Sequence, residues 1–326
     1  MKRALVAPEA EIRKRSSLAP PWPGREHQVG DQGLFIRETP PTAPGTEPAL
    51  YVHGLGGSSQ NWTDLADVLS HRLDGQAVDL PGFGHSAPTT SYTIPALARR
   101  VAAWITMSGR GPVHLFGNSL GGAISVYIAA TRPHLVKTLT LISPAMPFID
   151  VRTSSQSRLL PLLAIPKAER IAARAMAALS PEQVVDQVAA NCWGEPSQVP
   201  EQRRIEAIEE VRQRSTVPWN SEAYVRTFRA LVGSFVQSYL PGSSSLWRLA
   251  AQIEAPTLVI WGNLDKLVNV GLAPQVARTI EDSRLLILDR VGHVAMMERP
   301  EIVGRAVVAM LNEVQSNHYT DADATD

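Results

Sequence analysis

The segment Gly117-Asn118-Ser119-Leu120-Gly121 decides the fold of this chain. An apolar run, Val113 to Phe116, precedes it, and a helix-forming run, Ala123 to Ala130, follows it. A serine between glycines at the junction of a strand and a helix predicts a nucleophile elbow, a turn so tight that its flanking residues must be small. Such a turn lifts the serine hydroxyl above the sheet edge, beside the free amides of the helix, where an anion can bind. Ser119 is therefore the candidate nucleophile.

A serine hydroxyl needs a base to take its proton, and the base needs an acid to orient it. The apolar run Thr257 to Trp261 leads to Asp265, and the run Leu285 to Leu288 leads to His293. Both residues lie just beyond the end of a predicted strand, where open parallel sheets place their chemistry. The order serine, acid, histidine along the chain is the one that this elbow requires. We therefore predict that Asp265 orients His293 and that His293 is the base.

A second glycine-rich turn, His53-Gly54-Leu55-Gly56-Gly57, follows the apolar run Ala49 to Val52. A turn of this kind can present a backbone amide to the oxyanion that forms when a carbonyl is attacked. We predict that the amides of Leu55 and Leu120 form the oxyanion hole, with Gly56 as an alternative to Leu55.

With these elements the chain resembles the α/β-hydrolase superfamily over roughly residues 25–314, including the segment Asp79 to Ser86. The resemblance implies an α/β-hydrolase fold with a mostly parallel eight-stranded sheet, helices on both faces and a helical lid after the sixth strand. Some members place the acid after that strand. Here the strand Lys137 to Ile142 is followed by no carboxylate until Asp150, which favours Asp265.

The pattern of strands and helices divides the chain into four parts. We expect a flexible N-terminal leader at 1–24, a core formed by 25–143 and 246–314, a lid at 144–245 and a disordered tail at 315–326. In the lid, helices are predicted over Ala164 to Leu179, Glu201 to Arg214 and Glu222 to Tyr239. The lid also supplies apolar side chains that predict a hydrophobic pocket above the nucleophile, namely Leu159, Leu162, Leu163, Met176, Trp193, Trp219, Phe228 and Phe235.

Composition excludes several classes of partner. Lysine plus arginine equals aspartate plus glutamate at 31 each, so no charge pattern for nucleic acid or an anionic membrane is expected. No run approaches the ~20 apolar residues of a membrane span, and the N-terminus does not predict a signal peptide. The single cysteine, Cys192, excludes an internal disulfide and is expected to be inert. We expect a cytoplasmic protein and leave a homodimer open.

No metal or cofactor is expected, because the chain has neither zinc-ligand spacing nor a dinucleotide-binding glycine motif. A serine, a histidine and two amide donors perform acyl transfer, so hydrolysis of a carboxylic ester is the leading prediction. The resemblance leaves two alternatives open. One is carbon–carbon hydrolysis of ring-cleavage (meta-cleavage) products, a ketone substrate class whose enzymes share the elbow Gly117 to Gly122. The other is a ligand-binding receptor on the same fold.

Overall fold

The computed structural model describes residues 1–15, 17–148, 178–240 and 245–323, and within them nine strands form one sheet. The strands are β1 (Lys2–Arg3), β2 (Gly24–Val29), β3 (Gln32–Thr39), β4 (Glu47–Val52), β5 (Leu73–Val78), β6 (Val113–Asn118), β7 (Val136–Ile142), β8 (Thr257–Gly262) and β9 (Ser283–Leu288). Their order across the sheet is β1-β9-β8-β7-β6-β4-β5-β3-β2. Strand β3 alone runs in the opposite direction to the other eight strands, so its pairings with β2 and β5 are antiparallel. The mostly parallel sheet predicted from the sequence is confirmed, with β1 as an added edge strand.

Ten α-helices connect and cover these strands in the described part of the chain. They are α1 (Thr63–Leu69), α2 (Ile94–Met107), α3 (Leu120–Thr131), α4 (Pro181–Cys192), α5 (Glu201–Ser215), α6 (Asn220–Gln237), α7 (Leu246–Ala250), α8 (Ala273–Thr279), α9 (Ala295–Glu298) and α10 (Pro300–Asp323). Helices α4, α5 and α6 lie between β7 and β8, where the helical insertion was predicted.

Two hydrophobic clusters lie on the two faces of the sheet. One packs α2, α3, α7 and α8 against it, and the other packs α1, α9 and α10. All six residues of β6 and of β8 are buried. Parallel strands covered on both faces need continuous apolar sequence rather than alternation, which is why these runs were recognisable in the sequence.

The N-terminal residues differ from the flexible leader expected from their composition. Lys2 and Arg3 pair with β9, and Ala4, Ala7 and Ile12 are buried in the cluster around α1 and α10. Short apolar residues spaced among charges carry little signal in a sequence. The tail differs too, because helix α10 continues to Asp323 rather than ending near Val314.

The helical insertion between β7 and β8, for which we keep the name lid, is described from residue 178 onward, and its helices α5 and α6 coincide with two of the predicted ones. Phe228 and Leu231 of α6 are buried, and Leu231 packs in the cluster with α2 and α3, whereas Tyr239, beyond the end of the helix, is 48% exposed. The predicted helix Ala164 to Leu179 falls almost wholly outside the described residues. The predicted pocket residues Leu159, Leu162, Leu163 and Met176, and the carboxylate of Asp150, also lie outside them.

Candidate active site

Ser119 lies between β6 and α3 in a backbone conformation that side chains rarely adopt. Its φ is 53° and its ψ is −117°, and its amide donates to the carbonyl of Ile142 over 3.1 Å. The amide of Leu120, the first residue of α3, has no carbonyl four residues before it within the helix and is free to bind an anion. The side chain of Ser119 is partly exposed, which matches the predicted elbow.

The glycines of the elbow are required by close backbone contacts. A Cβ on Gly121 would lie 2.1 Å from the carbonyl oxygen of Val52, and a Cβ on Gly117 would lie 2.5 Å from the carbonyl oxygen of Gly121. Gly54 in the neighbouring turn has a less severe but still tight contact, because its Cβ would lie 3.1 Å from the Cβ of Ser119. The two glycine-rich segments recognised in the sequence therefore touch each other.

Asp265 and His293 lie on the loops that follow the adjacent strands β8 and β9, and their side chains meet. His293 Nδ1 lies 2.8 Å from Asp265 Oδ2, and the aspartate side chain is fully buried. The other carboxylate oxygen accepts from the amides of Leu267 (2.9 Å) and Val268 (3.0 Å). Burial raises the pKa of Asp265, but His293 and these two amides outweigh it and hold the pKa below its ordinary value. The ionised carboxylate places the imidazole proton on Nδ1 and leaves Nε2 as the acceptor.

Asn118 joins the serine to the histidine loop. Its Nδ2 donates to the carbonyls of Ile142 (3.0 Å) and His293 (3.1 Å), and the side chain is 3% exposed. In the described part of the chain, the Ser119 hydroxyl and the His293 ring share no hydrogen bond, so Asn118 is the direct link between the two loops.

His53 fixes the turn that carries Leu55 and Gly56. Its Nδ1–H donates to the carbonyl of Gly54 (2.7 Å), and its Nε2 accepts from the amide of Leu80 (2.9 Å). Burial lowers the pKa of His53 to about 4, so the ring is neutral at physiological pH. Its two ring nitrogens are thus used in structure, and it is not available as a base.

The carboxylate of Asp79 holds the turn formed by Asp79 to Ser86, and the Asp79 side chain is fully buried. It accepts from the amides of Ser59 (2.6 Å) and His85 (2.8 Å). Because Leu80 follows Asp79 and contacts His53, the two turns support one another beneath the site.

Two lid residues contact the turn that holds the candidate oxyanion donor, and no motif in the sequence marked them. Arg214 Nη1 donates to the carbonyl of Gly56 over 3.0 Å. The ring of Tyr224 lies so close that a Cβ on Gly56 would be 2.9 Å from it. Gly56 itself has a φ of +76°, which favours glycine. The partners of lid side chains are known only once the helices are placed in the fold. The sequence therefore carried no signal for these two contacts with Gly56.

Other features near the site carry no separate chemistry. Burial raises the pKa of the Cys192 thiol to about 12, which makes a thiolate unfavourable. Among the described residues, no group of three or more His, Cys, Asp or Glu side chains is placed to hold a metal ion. Within the same ranges, no helix is both long and apolar enough to cross a bilayer.

Comparison with known proteins identifies the family. A family model for the alpha/beta hydrolase fold matches residues 48–300. The chain belongs to the α/β-hydrolase family. It is 28% identical over 284 residues to monoacylglycerol lipase abhd6-B of Xenopus laevis, covering 84% of this chain and 79% of that protein. It is also 28% identical over 262 residues to Lipase 1 of Psychrobacter immobilis, covering 77% and 73% of the two chains.

A solved structure shows the same architecture at lower identity. A meta-cleavage product hydrolase of Pseudomonas fluorescens IP01 matches with a TM-score of 0.69 and 18% identity, covering 89% of this chain and 98% of that one. This likeness shows the α/β-hydrolase fold alone. The sequence matches make the chain a distant relative of lipases and esterases.

Proposed function

We propose that this α/β-hydrolase is a serine hydrolase that cleaves a small to medium hydrophobic carboxylic ester. The observation that carries the proposal is the strained Ser119 at the start of α3, whose neighbour Asn118 bonds the backbone of a histidine that a buried carboxylate holds over 2.8 Å. Strain of this kind costs about 1–3 kcal/mol and persists where it serves function.

The reaction follows from the roles of the side chains. His293 Nε2 takes the hydroxyl proton of Ser119 as its oxygen attacks the ester carbonyl, and the amides of Leu55 and Leu120 stabilise the oxyanion. The imidazolium, stabilised by Asp265, returns the proton to the departing alcohol and leaves an acyl-enzyme. A water molecule, deprotonated by His293, then attacks the acyl carbonyl, and His293 returns this proton to the Ser119 oxygen as the bond to the acid breaks. No metal or organic cofactor takes part in these steps.

The preference for a hydrophobic acyl group rests on the lid and on the lipases that the chain resembles. Each methylene buried under an apolar lid contributes about 0.8 kcal/mol to binding. We expect kcat/KM to rise from acetate through butyrate to octanoate esters and to be low for a charged succinate ester. A flat profile, or a best substrate that carries the charge, would contradict an apolar acyl site.

A panel of p-nitrophenyl esters, run beside a ring-cleavage product, tests the proposal. We expect rapid ester turnover that survives dialysis against EDTA and is lost in Ser119→Ala. Carbon–carbon hydrolysis, which the elbow Gly117 to Gly122 also fits, predicts faster turnover of the ring-cleavage product. Near-zero turnover with tight ligand binding would instead indicate a receptor. Loss of activity that an added metal restores would contradict the cofactor-free mechanism.

A further inference from the structure

The candidate base His293 lies on a loop that contacts the lid as well as the sheet. We propose that Glu298 is a positioning residue that joins this base loop, residues 289–294, to the end of lid helix α4, so that the lid sets the orientation of His293. The proposal rests on the proposed function, because it assigns Glu298 a part in the same site. In the described part of the chain, the carboxylate of Glu298 shares no hydrogen bond with Ser119 or with the candidate oxyanion donors.

The carboxylate of Glu298 accepts one backbone hydrogen bond from each side of this junction. Its Oε1 accepts from the amide of Gly292, the residue before His293, over 2.8 Å. Its Oε2 accepts from the amide of Gly194, two residues after α4, over 2.9 Å. A single carboxylate therefore bridges the base loop and the lid, and such charge-assisted bonds are stronger than those between neutral groups.

Two further bonds hold the same end of α4 against both candidate triad loops. The amide of His293 donates to the carbonyl of Cys192 over 2.7 Å. Lys266, the residue after Asp265, donates from Nζ to the carbonyl of Ala190 over 2.9 Å. The last carbonyls of a helix lack partners within it, and a cation near them is favourable. The acid loop and the base loop thus supply the groups that cap α4.

Backbone packing leaves little room for movement at this junction. A Cβ on Gly292 would lie 2.3 Å from the carbonyl oxygen of Cys192 and 2.5 Å from the amide nitrogen of Gly194. Trp193 between them is 6% exposed and belongs to the cluster around α1 and α10. The backbones of the lid and the base loop are therefore in direct contact, and the carboxylate of Glu298 accepts hydrogen bonds from both of them.

The consequence concerns the imidazole. Asp265 holds Nδ1, but it cannot fix the ring unless the backbone of His293 is also fixed. A displacement of about 1 Å at a reacting group can cost on the order of 100-fold in rate. Replacing one carboxylate oxygen of Glu298 by an amide NH₂ removes one hydrogen-bond acceptor and turns a donor towards a backbone N–H. One of the two backbone hydrogen bonds should therefore be lost, either to the base loop or to the end of α4.

The test compares Glu298→Gln with Glu195→Gln. Glu195 follows Gly194 directly and also reaches the base loop, through Arg290, whose side chain is 66% exposed, so it is a matched surface control. We expect Glu298→Gln to lower kcat by about 10- to 100-fold while KM stays within about twofold. The downfield NMR resonance of the His293 Nδ1 proton should broaden. The control should keep the wild-type resonance and change kcat by less than about twofold.

The NMR resonance separates this inference from the proposed function, because it requires no ester turnover. If the wild-type protein hydrolyses no ester, the proposed function fails while the resonance still decides the role of Glu298. If Glu298→Gln does not fold, Lys266→Met tests the same junction from an exposed side chain and should broaden the resonance too. A sharp, unshifted resonance with unchanged kcat in the folded variant would overturn the proposal.

Discussion

The side-chain amide of Asn118 donates to the backbone carbonyl of His293 over 3.1 Å, so the residue before the candidate nucleophile holds the loop of the candidate base. The same amide group also bonds Ile142 at the end of β7. The elbow after β6, the end of β7 and the loop after β9 are thereby tied together. This link explains how a serine after β6 and a histidine after β9 can work as one unit.

Ser119→Ala and Ser119→Gly should separate the chemistry of the serine from its strain. Both remove the hydroxyl, and both should lower ester turnover by on the order of 10³-fold or more. Alanine keeps the Cβ in a conformation with a φ of 53°, whereas glycine adopts it freely. Urea unfolding should therefore show Ser119→Gly to be more stable than Ser119→Ala by about 1 kcal/mol or more. Equal stability of the two variants would show that the elbow is not strained.

Asp265→Asn should lose activity by about 10⁴-fold, because an amide favours the wrong imidazole tautomer. It should also change the pH dependence of stability. The pKa of Asp265 is lower in the folded protein than in the unfolded chain, so its stabilising contribution is present above about pH 4 and is lost as the pH falls through the folded value. The difference in unfolding free energy between wild type and variant should shrink in acid. A constant difference from pH 7 down to pH 3 would contradict this.

Gly121→Ala should destabilise the protein severely, because the added Cβ would lie 2.1 Å from the carbonyl oxygen of Val52, which belongs to a central strand and cannot move. We expect a loss of more than about 3 kcal/mol, or no folded protein. Gly233→Ala in helix α6 is the control, because nothing lies within 4 Å of its Cβ position. That variant should gain about 0.5–1 kcal/mol from helix propensity. Comparable stability of the two variants would contradict the close contact beneath the elbow.

Arg203→Met should loosen lid helix α5 from the core. Arg203 donates to both carboxylate oxygens of Asp64, over 2.8 and 2.9 Å, and both side chains are less than 10% exposed. Breaking a buried pair on one side costs about 3–5 kcal/mol, although Arg15 also pairs with Asp64 and should reduce the loss. Arg204→Met removes only a surface pair with Asp186 and should change stability by less than about 0.5 kcal/mol. Urea unfolding of the two variants measures the difference.

The sheet and the elbow could be predicted from the sequence because their constraints are local. Strands buried on both faces require continuous apolar runs, and the elbow requires glycine at Gly117 and Gly121. The pairing of Asp265 with His293 followed from strand ends at a common edge. By contrast, Arg214 contacts the backbone carbonyl of Gly56, which is far away in the sequence. Such a contact places no requirement on the residues that are adjacent in the sequence, so no sequence pattern predicts it.

The N-terminal segment shows the same limit. Arg15 and Arg203 both donate to Asp64, although they lie in the leader and in the lid. Nothing in a proline-rich, basic stretch indicates that one of its arginines pairs with a buried carboxylate. The two-residue strand Lys2–Arg3 is likewise too short to be recognised without its partner β9.

The most direct test of the central claim is the site of covalent attachment of a fluorophosphonate. The account predicts a single adduct, located by peptide mass spectrometry on Ser119, together with complete loss of ester hydrolysis. Asp265→Asn should carry the same adduct but form it far more slowly. An adduct on another residue, or labelling of Ser119→Ala at the wild-type rate, would contradict the assignment of Ser119 as the nucleophile.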